Sequence, residues 1–145
     1  MIRMIHSTLA LSLLLAAALA AAPKKVVQPK EFPTGRPFSP AILSGGTLYV
    51  SGQIGIDLKT NKIPDEFEAE VKLCLENIGI LLKAGGMGYE DVVSVQVYLT
   101  DMDQFQRMNS VYTTIFKEPR PTRTTVGVAK LAGGAHIEVT VTAKK

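Results

Sequence analysis

Val92-Val93-Ser94-Val95-Gln96-Val97-Tyr98-Leu99 is a β-branched, largely apolar run set between two segments of a different periodicity. Branched side chains lose little freedom on a pleated strand and pack well there, so the run reads as a central strand. Alternation across a strand places Val93, Val95, Val97 and Leu99 on one face and Ser94, Gln96 and Tyr98 on the other. Before it, Phe67, Val71, Cys74, Leu75, Ile78, Leu81 and Leu82 recur at helical intervals until Gly85-Gly86 stops them. Asp65 and Glu68 have the spacing of a capping box for that helix. After it, Asp101 can cap a second helix carrying Met102, Phe105, Met108, Val111, Tyr112, Ile115 and Phe116, which Pro119 and Pro121 prevent from continuing. Helices separated by a single strand imply βαβ crossovers, with both helices on one face of a sheet.

Outward from that centre, Ala41-Ile42-Leu43 and Thr47-Leu48-Tyr49-Val50-Ser51 flank Ser44-Gly45-Gly46 and read as a glycine-turned hairpin. Thr124 to Leu131 and Ala135 to Ala143 flank Ala132-Gly133-Gly134 and read as a second hairpin. The expected order is ββαβαββ, an α+β fold with one mixed sheet. Two helices cover one side of such a sheet. Its other face, semi-polar at Ser94, Gln96 and Tyr98, is a plausible lining for a contact between copies of the chain.

The N-terminus carries a different signal. Arg3 precedes an apolar run from Leu9 to Leu19 that closes on Ala18-Leu19-Ala20, the pattern of a secretory signal, with Ala22 a second place for the cut. The expected organisation is a cleaved signal at 1–20, an extended leader at 21–40 and a domain at 41–145, in an exported, periplasmic protein with no stable membrane association after cleavage. An uncleaved anchor is the alternative. Five prolines between Pro23 and Pro40 keep the leader irregular, with a short edge strand at most around Val26 and Val27. Removing residues 1–20 takes Arg3 and no acid, so the net charge of +3 becomes +2. Basic residues form no run and no aromatic-interleaved patch, so nucleic acid is not an implied partner.

Chemistry is limited by what the chain contains. Cys74 is the one cysteine, which excludes an intrachain disulfide, a thiolate metal cluster and a CxxC pair. Its place in the helical stripe makes it a small buried hydrophobe rather than a reactive thiol. His6 and His136 cannot together form a metal site once the signal is gone. GxGxxG, P-loop, HExxH and GxSxG patterns are all missing. Arg123 and Glu138 remain, one opening a strand and one mid-strand. Alternation in Ile137-Glu138-Val139-Thr140-Val141 turns Glu138, with His136, Thr140 and Thr142, away from the core. On periodicity alone a solvated glutamate and a surface cation are the simpler readings of the two.

Four stretches resemble the Rid (YjgF-like, endoribonuclease L-PSP-like) family in order and spacing. They are Val50-Ser51-Gly52-Gln53-Ile54, Ser94 to Met102, Phe105 to Tyr112, and Arg120-Pro121-Thr122-Arg123-Thr124-Thr125-Val126 through Leu131 to Ile137-Glu138-Val139. SGQI, a PxR motif before a strand, and an IEV strand after it form a specific combination. The resemblance spans nearly all of residues 25–143. It implies a chorismate-mutase-like fold and a homotrimer whose sheets form a central barrel, with clefts between subunits. It further implies a cofactor-free hydrolysis of 2-imino acids to 2-oxo acids and ammonia. Arg123 matches the arginine that grips the substrate carboxylate, and Glu138 the glutamate that positions the water. Ser51 and Asn109 match cleft-lining residues.

The physics suits that assignment, because a guanidinium fork gives a carboxylate two parallel charge-assisted bonds that lysine cannot reproduce. Two departures matter. Phe38 stands where the family's cleft tyrosine is, keeping a wall and losing a hydroxyl, and Thr125 stands where a cysteine is frequent. Ala132 also replaces the proline usual before the last turn. The competing class is a non-catalytic holder of small carboxylates or a chaperone-like member of the same fold. A ribonuclease is disfavoured for want of a histidine pair or basic groove.

Overall fold

The computed structural model describes residues 22–145; the expected signal and its cleavage site lie outside them. Eight main elements follow in order: β1 (Lys25–Val27), β2 (Ala41–Ser44), β3 (Thr47–Ile54), α1 (Phe67–Ala84), β4 (Val92–Leu99), α2 (Phe105–Ile115), β5 (Thr122–Gly127) and β6 (Ile137–Lys144). They build one six-stranded mixed sheet in the order β1-β2-β3-β6-β4-β5, with both helices on one face. The β2–β3 hairpin turns on Gly45 and Gly46, at φ of 56° and 74°, where a side chain would be strained.

The core lies between that face and the helices. Cys74, Ile78, Leu81 and Leu82 of α1 and Met108 of α2 pack on Leu48, Val95, Val97, Leu99, Val139 and Val141 of the sheet. Each fully buried aliphatic chain contributes about 1.5–3 kcal/mol. Among the described residues, no helix is long and apolar enough to cross a membrane.

Four local expectations need correction. The last two strands are not a hairpin: β5 pairs in parallel with β4 at the sheet edge, while β6 lies between β3 and β4 and pairs antiparallel with both. The physical reason is burial. Ile137, Val139, Val141 and Ala143 of β6 are fully buried and suit the middle of the sheet, whereas no residue of the threonine-rich β5 is. Gly133 and Gly134 belong instead to a 3-10 turn in the connection from the edge to the centre. Second, Val93 is exposed and Val92 is buried, because the β4–β6 ladder shifts register between Val92 and Ser94. Third, α1 starts from Glu66 without a side-chain cap, so Asp65 and Glu68 form no capping box. Fourth, Met102 sits exposed in a short 3-10 turn before α2, where Asp101 accepts from the Asp103 amide at 2.9 Å.

The face away from the helices carries Ile42, Tyr49, Thr142, Ser94, Tyr98, Glu138 and Val126, which share one side by register. Among the described residues no element covers it, and Tyr49 and Val126 are 54% and 41% exposed.

Candidate functional site

Two groups of side chains emerge, one on each face of the sheet. Arg123 lies beside Val95 in the parallel β4–β5 ladder, so it points to the helix side as Val95 does. Its guanidinium carbon stands 4.5 Å from the Tyr112 ring centre and 5.5 Å from that of Phe105, with Nη1 at 4.0 Å from Met108 Sδ. The rings hold the cation electrostatically and limit its rotamers. An open concavity of about 500 Å³ runs beside it, lined by Asn109, Tyr112, Thr113, Arg120, Pro121 and Arg123. Among the described residues no acid lines that space, so its field favours an anion. Arg120 is held by Glu118 and by the Phe116 carbonyl, to which its Nε donates at 3.2 Å. The Tyr112 hydroxyl is buried and finds no hydrogen-bond partner among the described residues. Burial pushes its ionisation upward, and the neighbouring Arg123 and Arg120 charges oppose that shift.

The second group gathers where β3 bulges. The β3–β6 ladder shifts register between Val50 and Gln53, leaving Ser51 and Gly52 out of step. Glu138 of β6 pairs with Ile54 on one side and Tyr98 on the other, facing away from the helices. Its carboxylate lies against Gly52, where any side chain would overlap Glu138 Oε1. The Ser51 hydroxyl donates to the Ser39 carbonyl at 2.7 Å and its amide to the Pro40 carbonyl at 3.0 Å, tying the preceding loop to the bulge. Phe38, on that loop, is half exposed beside Arg36.

Within one chain, then, Arg123 and Asn109 share a concavity, and Ser51 and Glu138 share the bulge, but the two sets look to opposite faces. Three residues were not anticipated. Tyr112 fixes Arg123, and its place in the helical stripe marked it only as core. Gly52 makes room for Glu138, and a glycine inside a strand is the signal for such close approach. Glu70 is a fully buried acid, and its position between Phe67 and Cys74 on the apolar stripe of α1 was the available hint. Among the described residues no group of three His, Cys, Asp or Glu side chains is arranged to hold a metal ion.

The family profile described as Endoribonuclease L-PSP matches residues 29–145. This chain belongs to that family, the Rid proteins. A Rid relative from Sulfurisphaera tokodaii, named only as a RutC family protein, is 44% identical over 110 residues, 75% of this chain and 88% of the relative. A mouse protein named 2-iminobutanoate/2-iminopropanoate deaminase is 35% identical over 118 residues, 80% of this chain and 87% of the mouse protein. The crystal structure of RidA from an Antarctic Psychrobacter superposes with a TM-score of 0.79 at 33% identity, covering 83% of this chain and 99% of that one. The two-helix, mixed-sheet architecture is thus the Rid fold.

Proposed function

We propose that this Rid protein hydrolyses 2-imino acids to 2-oxo acids and ammonia in clefts completed between copies of the chain. The observation that carries the proposal is Arg123, a cation clamped on Tyr112 and Phe105 at the wall of an acid-free concavity beside Asn109. Such a fork suits the carboxylate of a small substrate. The deaminase name of the mouse relative supplies the reaction class.

In this reading Arg123 pins the carboxylate, with Asn109 beside it. Glu138 of a second copy orients a water and takes its proton as the oxygen attacks the C=N carbon. The C=N electron pair moves to nitrogen, which takes one proton from solvent and the one accepted by Glu138, while the new hydroxyl gives up its own proton to solvent. Collapse of the tetrahedral centre expels ammonia and leaves the 2-oxo acid, so no electrons are exchanged with a cofactor. Ser51 and the Phe38 ring line the same cleft. Because Arg123 and Glu138 face opposite sides of the sheet, assembly is required, and a homotrimer with the open faces turned into a central barrel satisfies it. The segment 1–20 directs the protein out of the cytosol, where imines released by exported amino-acid oxidases or dehydrogenases are suitable substrates.

The test is Arg123→Ala. It is expected to abolish accelerated release of 2-oxo acid from enzymatically generated imine while the assembly stays intact by light scattering. Full acceleration by that variant would end the proposal. Calorimetry with 2-oxo acids distinguishes a carboxylate binder, which binds without turnover.

A further inference from the structure

We infer that Glu70 is the positioning residue for Glu138, acting through the main chain at the start of β6. The inference rests on the deaminase reading for its catalytic consequence, and on geometry alone for the positioning itself. Glu70 is fully buried on α1, where an unpaired carboxylate would be costly. Its Oε1 accepts from the His136 amide at 2.7 Å and the Ile137 amide at 3.3 Å, and its Oε2 meets His136 Nδ1 at 2.8 Å. These amides belong to the two residues immediately before Glu138. The chain enters the sheet there between two strands at once, so its height at residue 137 sets the register of everything that follows.

The opposite side of the carboxylate is equally constrained. Glu70's backbone oxygen and Cγ lie against Gly55, where a methyl group would overlap both, so α1 approaches the end of β3 as closely as a main chain allows. One and two turns further along α1, Cys74 Sγ donates to the Gln53 carbonyl at 3.1 Å, and Asn77 Nδ2 donates to the Ile54 and Ile56 carbonyls at 3.2 and 2.8 Å. Glu70, Cys74 and Asn77 thus form a buried polar stripe on an otherwise apolar helix face. Two of its members fix the strand that carries the Gly52 bulge, and Glu70 fixes the strand that carries Glu138. The Glu138 carboxylate resting against Gly52 is the product of both grips.

A purely structural acid would lower stability alone; a positioning acid has a kinetic signature. Glu70→Met keeps a linear chain of similar length and removes the acceptors. It is expected to lower kcat at least about tenfold while KM, set by Arg123, stays within about twofold. Glu70→Gln keeps an oxygen for the two amides and is expected to restore kcat to within about threefold of wild type. Should Glu70→Met fail to fold, Glu70→Asp, one methylene short of both amides, replaces it with the same expectations. A folded Glu70→Met with wild-type kcat, a loss confined to KM, or a Gln variant as impaired as Met would each overturn the inference. If wild type itself does not turn over imines, the functional reading falls and a crystal structure of the Met or Asp variant decides this one. Displacement of the Glu138 carboxylate from Gly52 supports it, and an unmoved carboxylate overturns it.

Discussion

Gly52→Ala separates the site from the scaffold more cleanly than any substitution of a charged residue. Gly52 does not have a positive φ, so alanine meets no backbone strain. What its Cβ meets is the Glu138 side chain: Oε1 overlaps it, the carboxyl carbon is 2.9 Å away and Cγ is 3.3 Å away. Restoring ordinary van der Waals separation requires the carboxylate to move by roughly 1 Å or more. That displacement is cheap for folding, because the flexible end of a partly buried side chain gives way. Alanine also restricts the unfolded chain and returns about 0.4–1 kcal/mol. A carboxylate that must hold a water at a carbon tolerates no such shift, and a misplacement near 1 Å costs about a hundredfold in rate, or about 2.7 kcal/mol of barrier. The expected variant therefore keeps its urea midpoint within the equivalent of about 1 kcal/mol, while kcat falls by about two orders of magnitude and KM barely changes. Coupled assay of 2-oxo acid release, with denaturation of the same preparations, reads both. A folded Gly52→Ala with wild-type kcat would show that Glu138 does not act from the place it occupies against the bulge.

Arg123→Lys keeps the charge but loses the planar fork on Tyr112 and Phe105; one charge-assisted bond is worth about 1.5–3 kcal/mol, so kcat/KM should fall about 10- to 100-fold, mainly through KM. Equal kinetics for lysine would mean that bidentate grip is not used. Cys74 is fully buried, and desolvation pushes its thiol well above the ordinary range; maleimide at neutral pH should leave the native protein unlabelled and modify it once denatured. Tyr89 donates to the Leu75 carbonyl at 2.7 Å, and burial raises its ionisation from 10.0 to about 12. Its contribution is complete below pH 10, where both states are protonated, and is lost between pH 10 and about 12 as the unfolded chain ionises first. Urea titrations across that range should show a shallower alkaline decline for Tyr89→Phe than for wild type.

Periodicity carried much of the architecture. The helical stripes Phe67 to Leu82 and Phe105 to Phe116, and the alternation of Ile137 to Val141, each express burial on a single element, and single-element burial is what a linear pattern records. Strand order is a property of pairs. Glycine at 133 and 134 is compatible with a hairpin, and local chemistry alone gives no reason for the chain to place β4 between its last two strands. The clue was quantitative: six residues of β5 include three threonines, an arginine and a glycine, too polar for a central place, while β6 alternates four apolar residues that must be covered. Glu70 escaped notice for the opposite reason. A pattern search counts its neighbours Phe67, Val71 and Cys74 as a complete apolar face, although an acid inside that face requires buried donors, and the amides of His136 and Ile137 are those donors.

The same strand order decides how Arg123 and Glu138 can cooperate. In a hairpin they would belong to neighbouring strands, and a cleft within one chain could join them. With β4 interposed their strands lie two spacings apart, roughly 10 Å, and the residues are also out of level, Glu138 opposite Tyr98 and Arg123 opposite Val95, with side chains on opposite faces of the sheet. No rotamer carries a carboxylate through a sheet, so a substrate a few ångströms long held by Arg123 cannot meet the Glu138 of its own chain. A reaction that uses both therefore places Arg123 of one copy against the open face of the next. Under the proposed reaction the uncovered face, on which Tyr49 and Val126 are exposed, would line the cleft as well as the contact between copies.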